Sequence, residues 1–251
     1  MTLTHLPIEE LLEENRQHEC EGLGEDRICV KIASIAELPT RFGNFQIVSF
    51  WNNRDGKEHA ALVKGDITDA DDVTVRLHSE CLTGDGFGSL RCDCRDQLEY
   101  AMRTIGQMDK GIVLYLRQEG RGIGFTNKIR AYALQDYGYD TVEANQALGF
   151  RDDERDYAVA AHMLMSLKVK SIQLMTNNPK KINDLTRFGI KINGRIPLVI
   201  PPNEYNEFYL RTKAEKSGHL IDFSGQERLI DQLNRPLAKR LASHQAAALQ
   251  D

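Results

Sequence analysis

Three cysteines fall within fourteen positions, as Cys81-x10-Cys92-x-Cys94 in the segment RLHSECLTGDGFGSLRCDCRDQ. Thiolates are soft, strong zinc ligands, and three of them leave one tetrahedral position for water. The long gap holds Gly84, Gly86 and Gly88, which let a loop bend back toward its start. No further cysteine completes the spacing of a four-ligand finger. The pattern admits a catalytic zinc, a structural Cys3His site that borrows His78, or a group of buried thiols. Three thiolates offset much of the ion's charge, so a catalytic zinc here calls for a nearby acid or base. Cys20 and Cys29 have no matching spacing and read as free thiols.

Five other segments gather polar and charged residues at expected strand ends and helix starts. RLHSE (76–80) leads into the cysteine loop. RQEGRGIG (117–124) follows an apolar run, and its glycines and Arg121 suit an anion at a helix N terminus. KIRAY (128–132) offers Lys128, Arg130 and Tyr132. GFRDDERD (149–156) combines acids with arginines, and TNNPKK (176–181) puts a hydroxyl, amides and lysines together. Each alone reads equally as a solvated face or a cap; Asp153, for one, could complement a helix dipole. Together they suit a triphosphate, because guanidinium groups match phosphate oxygens.

Elements that would position these groups are legible in the hydrophobic pattern. FQIVSFW, HAALVKGD and VTVRLHS are β-rich runs broken by turn residues, which predicts successive antiparallel strands. GIVLYLR (111–117) and SIQLMTNN read as buried strands, and PLVI as a last short one. Helices are predicted around DQLEYAMRTIGQM, over NKIRAYALQDYG up to Gly138, and over ERDYAVAAHMLMSLKV. NNPKKINDLTRFG reads as a helix with Pro179 near its first position and Gly189 past its end. IEELLEENRQ is either a short amphipathic helix or a loose arm. The prediction is an α+β (mixed α/β) fold with one catalytic domain, strand-rich first and alternating later. It spans residues 36–222, between an extension (1–35) and a helical tail (223–251).

Composition narrows the classes. The 251 residues are 41% hydrophobic and 27% charged, an ordinary globular balance. The net charge of −5 argues against a nucleic-acid binder, which carries a basic face. No run of about eighteen apolar residues suggests a membrane span. The start lacks the basic and apolar regions of a secretory signal, so a cytoplasmic location is expected.

Read together, HSECLTGDGFGSLRCDC, LYLRQEGRGIGFTNKIRAYALQD, GYDTVEAN, LGFRDDERDY and LMTNNPKKI closely resemble GTP cyclohydrolase II, from about Leu38 to Leu220. That resemblance implies a riboflavin-pathway hydrolase that converts GTP and water to a 2,5-diamino-6-ribosylaminopyrimidinone 5′-phosphate, formate and pyrophosphate. It implies Zn2+ on Cys81, Cys92 and Cys94. It implies Asp153 as proton acceptor, Arg155 as the residue that attacks the α-phosphate and releases pyrophosphate, and Tyr132 near the reacting ring. Arg76, Leu77, His78, Ser79, Glu80, Gln97, Glu119, Gly120, Arg121, Thr141, Thr176 and Lys181 match positions that hold GTP. Mg2+ and a homodimer are implied in the same way. The segment before the resemblance is too short for the dihydroxybutanone phosphate synthase domain of bifunctional relatives, so a monofunctional enzyme is expected. Arg95 stands where many relatives have glycine. Two rivals remain: a related purine-nucleotide cyclohydrolase that stops at a formamide, and a GTP-binding regulator with structural zinc.

Overall fold

The computed structural model describes residues 5–17 and 28–220. Its strands are β1 (Val30–Thr40), β2 (Gly43–Asn52), β3 (His59–Lys64), β4 (Val73–Ser79), β5 (Gly111–Leu116), β6 (Ile172–Met175) and β7 (Ile192–Ile196). They form one sheet in the order β1-β2-β3-β5-β4-β6-β7. β1, β2, β3 and β5 pair antiparallel, while β5, β4, β6 and β7 run parallel. The fold is mixed α/β, as the sequence suggests.

One expectation is corrected in this topology. β4 does not continue the antiparallel series beside β3; β5 enters between them and pairs parallel to β4. The reason is the crossover helix α2 (Cys94–Gly106), which carries the chain from β4 back to the start of β5. A parallel pair needs such a connection, whereas a tight turn would have kept the meander going.

Period-two alternation sorts side chains onto two faces. Val73, Val75 and Leu77 of β4 join Ile112, Leu114 and Leu116 of β5 in one core. Helices α1 (Ile8–Gln17), α5 (Ala158–Ser166) and α6 (Pro179–Arg187) cover that core through Leu11, Leu164 and Leu185. On the opposite face Val113 meets Ala101, Met102 and Ile105 of α2. The same alternation turns Arg76 and His78 toward the α2 side, away from Leu77.

The N-terminal segment is a docked helix rather than a loose arm. Leu11 is fully buried, worth roughly 2 kcal/mol for a leucine. Asn15 Oδ1 accepts from the Ile32 amide at 2.9 Å, so α1 also fastens β1. β1 begins at Val30, and the boundary expected near residue 36 falls inside it. Cys29 is disulfide-bonded rather than a free thiol. PLVI is not a strand: β7 is the preceding INGRI, and its ladder stops where Pro197 lacks an amide hydrogen. Three remaining helices are α3 (Phe125–Asp136), α4 (Thr141–Ala147) and α7 (Glu207–Lys216). Neither α4 nor α7 was expected. Cys20 and the tail at 223–251 lie outside the described residues.

Candidate active site

Because β4, β5 and β6 run parallel side by side, their carboxyl ends open on one edge of the sheet, where α/β proteins bind ligands. β4 delivers Ser79, Glu80 and Cys81; β5 delivers the turn Glu119–Gly122; β6 delivers Thr176 and, on α6, Lys181. Chemistry spread along the sequence becomes a cluster in space through this one topological fact.

After β4 the chain makes a single π-turn, Leu82–Gly86. Asp85 fixes it: its carboxylate accepts from the Cys81 amide at 3.0 Å and the Tyr115 hydroxyl at 2.8 Å, and lies 3.0 Å from His78 Nε2. The turn places Gly84 over the sulfurs of Cys81, Cys92 and Cys94. A Cβ there would stand 2.9 Å from Cys92 Sγ and 3.2 Å from Cys81 Sγ, so only glycine fits. The three sulfurs lie within 4.8 Å of one another, and among the described residues no other group of three or more metal-ligating side chains occurs. His78 faces Asp85 and is not a member of that group, so nothing supports it as a fourth ligand.

The sulfurs are electrostatically unequal. Hydrogen bonds from Cys92 and Cys94, with the Lys128 ammonium 3.1 Å away, hold Cys81 far below the usual thiol range. Its hydrogen bond with Cys81 pushes Cys92 up to about 11, and the same contacts push Cys94 up. The three sulfurs thus compete for shared protons beside the Lys128 ammonium, and a soft dication could take the place of those protons. The all-sulfur donor set and the space left by Gly84 fit zinc. Lys128 also donates to Glu119 Oε1 at 2.7 Å. Glu119 Oε2 accepts from the Leu82 amide at 2.6 Å, so Glu119 braces the cysteine loop against the turn after β5. Tyr132, on α3, has its hydroxyl 3.2 Å from Thr83 Oγ1; burial pushes it up to about 12, so it stays a proton donor at neutral pH.

Beside the sulfurs lies a buried group of cations. Arg76 donates to Met175 O at 3.1 Å and to Gln97 Oε1, and burial lowers it to about 10. Lys181 donates to Leu77 O at 2.7 Å. Burial first, then the charges of Arg76 and Arg155, take Lys181 well below the usual lysine range. Arg155 forms a fork with Asp153, Nε to Oδ1 at 2.8 Å and Nη2 to Oδ2 at 2.6 Å. Burial opposes the Asp153 charge, but the hydrogen bonds and charge of Arg155 hold it at about 2. Arg121 has φ of 59°, a left-handed backbone uncommon outside glycine, and this turns it onto the Asp152 side chain. Arg76 Nε and Arg121 Nη2 are buried without a hydrogen-bond partner among the described residues, and both are available to an anion.

Not every expected residue faces this cluster. The Leu77 side chain is in the core, and only its carbonyl meets Lys181. Gly120 contributes a left-handed turn. Glu80 pairs with Arg117 at 3.1 Å. Thr176 Oγ1 accepts from the Asn178 amide at 3.0 Å, shaping the start of α6. Thr141 opens α4 behind its Asp140 cap, and that cap is tied to α7 through Lys216. Sequence reasoning missed Asp85, Asp93, Tyr157 and Lys213. A stronger weight on the aspartate after the glycine in TGDG would have flagged Asp85; Lys213 carries no motif.

Comparison with known proteins supplies the family. The family model of GTP cyclohydrolase II matches residues 31–197. The GTP cyclohydrolase-2 of Picrophilus torridus is 54% identical over 192 residues, covering 76% of this chain and 100% of that protein. The GTP cyclohydrolase-2 of Tolumonas auensis is 55% identical over 192 residues, covering 76% of this chain and 98% of that one. The riboflavin biosynthesis protein RibBA of Endomicrobium trichonymphae is 55% identical over 185 residues, 74% of this chain; the match spans only 46% of that longer protein. A mixed α/β protein with a three-thiol site beside a cation cluster is thus the class that fold and site define. The chain belongs to the GTP cyclohydrolase II family.

Proposed function

We propose that this protein hydrolyses GTP, opening the imidazole ring and releasing formate and pyrophosphate to leave 2,5-diamino-6-(5-phospho-D-ribosylamino)pyrimidin-4(3H)-one, the first step of riboflavin biosynthesis. One observation carries the reading: three sulfurs within 4.8 Å of one another adjoin buried cations that press on each other's charge. A purine nucleotide offers a ring to the first and phosphates to the second.

Cys81, Cys92 and Cys94 would hold the zinc. When bound, the ion supplies Lewis acidity toward water at the carbon lost as formate. Tyr132, protonated and beside Thr83, donates a hydrogen bond to the reacting ring. Asp153 and Arg155 act as one unit. Against burial, Tyr157 and Asp153 raise the affinity of Arg155 for its proton, which removes the lone pair a nucleophile needs. Arg155 therefore offsets charge as the α–β phosphate bond breaks, and Asp153 aims it. Arg76, Arg121 and Lys181 hold the phosphates, with Gln97 orienting Arg76. Glu119 acts through Lys128 and the loop. His78 and Glu80 shape the wall, as do Ser79, Gly120, Thr141 and Thr176, and Leu77 contributes its backbone. Mg2+ would enter on the triphosphate, since that ion binds mainly through substrate phosphates and water.

A cytoplasmic homodimer completes the reading. Among the described residues no helix is long and apolar enough to cross a membrane, and exposed Trp51, Phe87 and Leu90 offer apolar surface to a second copy. The catalytic part is read as ending near residue 222, with its start moved back from residue 36 to include β1 from Val30. The deciding experiment incubates the purified protein with GTP and Mg2+ and identifies the products. Formate, pyrophosphate and the pyrimidine support the proposal. A formamide product moves it to a related cyclohydrolase, and GTP binding without turnover moves it to a regulator.

A further inference from the structure

Helix α7 lies beyond the residues matched by the family model, yet its side chains reach three separate parts of the site. Lys213 Nζ stands 3.5 Å from Asp93 Oδ1, on the residue between Cys92 and Cys94. Ser217 Oγ donates to Asp152 Oδ2 at 2.8 Å and accepts from Arg121 at 3.4 Å. Lys216 pairs with Asp140, the cap of α4. A helix that only filled surface would not need ion pairs to the cysteine loop and α4 together with hydrogen bonds from its C-cap to the arginine turn.

Lys213 is the unusual member. Its residue is only 9% exposed, and its ammonium lies 4.2 Å from the centroid of the Tyr209 ring. A buried cation needs close partners. Asp93 Oδ1 is beyond ordinary hydrogen-bond distance and has no hydrogen bond among the described residues. The other Asp93 oxygen serves Gln97, which in turn holds Arg76. Lys213 is therefore placed against the phosphate-side network but held loosely by it. His219, whose amide bonds back to Lys213 O at 3.1 Å, reports the same surroundings. Burial, then the charges of Lys213, Arg121, Arg155 and Lys181, depress it to about 2. Lys213 itself keeps its charge: against burial, Asp93 and Tyr209 raise its affinity for a proton, so a charged ammonium stands on the inner side of α7 beside the cation cluster.

We propose that α7 is the outer wall of the nucleotide site and that Lys213 is a further substrate-binding cation, which turns from Asp93 to a phosphate when the nucleotide enters. The inference rests on the GTP reading above and assigns it a residue outside the recognised motifs. Lys213 grips ground state and transition state alike, so its loss weakens binding more than chemistry.

The test uses the full chain. Wild type, Lys213→Met, Lys213→Arg and, as a control on the exposed side of the same helix, Phe208→Ser are assayed for KM and kcat with GTP. Amide hydrogen exchange over residues 207–217 is followed with and without a non-hydrolysable GTP analogue. The expected result is a KM for GTP raised about tenfold in Lys213→Met with kcat within about twofold, substantial rescue by Lys213→Arg, and no change in Phe208→Ser. Wild-type α7 should exchange more slowly with the analogue bound, and Lys213→Met should lose that protection. Normal wild-type turnover with an unchanged KM in Lys213→Met, or with no protection of α7, overturns the role of Lys213 and leaves the GTP reading standing. A wild type that neither binds nor turns over GTP overturns both. If Lys213→Met does not fold, Lys213→Arg and the wild-type protection decide.

Discussion

Asp153 and Arg155 face each other through two parallel hydrogen bonds of 2.8 and 2.6 Å, and a third ties the Arg155 amide to the same carboxylate at 3.0 Å. Two residues apart, they form a closed unit in the loop before α5. The carboxylate is bound too tightly to leave the guanidinium, and the guanidinium is too firmly protonated to attack. The pair is a fixed positive edge with its orientation built in.

That pairing has a stability signature. Asp153 stays ionised in the folded protein down to about pH 2, whereas an unfolded aspartate takes up its proton near 3.9. The stabilisation is therefore complete above about pH 4 and lost as pH falls through about 2, on the order of 2 kcal/mol. Urea unfolding at stepped pH should show this loss in wild type and a flatter profile in Asp153→Asn. Arg155→Ala should stop pyrophosphate release; release at the wild-type rate would remove Arg155 from the chemistry.

Metal content should follow the sulfurs. The wild type is expected to hold about one zinc per chain. Cys92→Ser should lose both the zinc and formate release while keeping its circular dichroism. Gly84→Ala should do the same more mildly, since its methyl would stand 2.9 Å from Cys92 Sγ. Full zinc in Gly84→Ala would refute the fit argued for the turn.

Tyr132→Phe removes one hydroxyl beside Thr83 and little volume. The expected loss is in kcat, by about 100-fold, with KM for GTP within about threefold. An equal loss in both would make Tyr132 a binding residue.

Lys181 is held below the usual lysine range by burial, Arg76 and Arg155. A bound phosphate restores its affinity for a proton, so nucleotide binding should take protons up and weaken as pH rises into the alkaline range. Calorimetry of an unreactive GTP analogue in buffers of different ionisation enthalpy measures that uptake. Lys181→Met should abolish the uptake and raise the dissociation constant by about tenfold or more.

Much of this site was legible because its chemistry is local in sequence. The cysteine spacing, the glycines between them, and Pro179 and Gly189 around α6 all act within a few residues, and each was placed correctly. The order of β4 and β5 was not, because strand alternation looks the same in a parallel and an antiparallel neighbour. α1 looked marginal because ten residues make a weak helix alone; Leu11 and Asn15 settle it through contacts with distant strands. Lys128 read as a phosphate ligand but sits on a thiolate, since a sequence gives a lysine's charge and not the direction of its side chain. Lys213 was invisible for the same reason, as its partner Asp93 is 120 positions away.

The sheet is divided in its labour. Strands β1 to β3 hold up one half by antiparallel pairing, while the reactive groups issue from the parallel half. Damage in the meander should therefore be a matter of temperature, with activity recovered on cooling, whereas damage where β4, β5 and β6 end should persist in the cold. A collection of random variants assayed warm and cold would sort itself along that seam, tracing the boundary between scaffold and chemistry without any reference to coordinates.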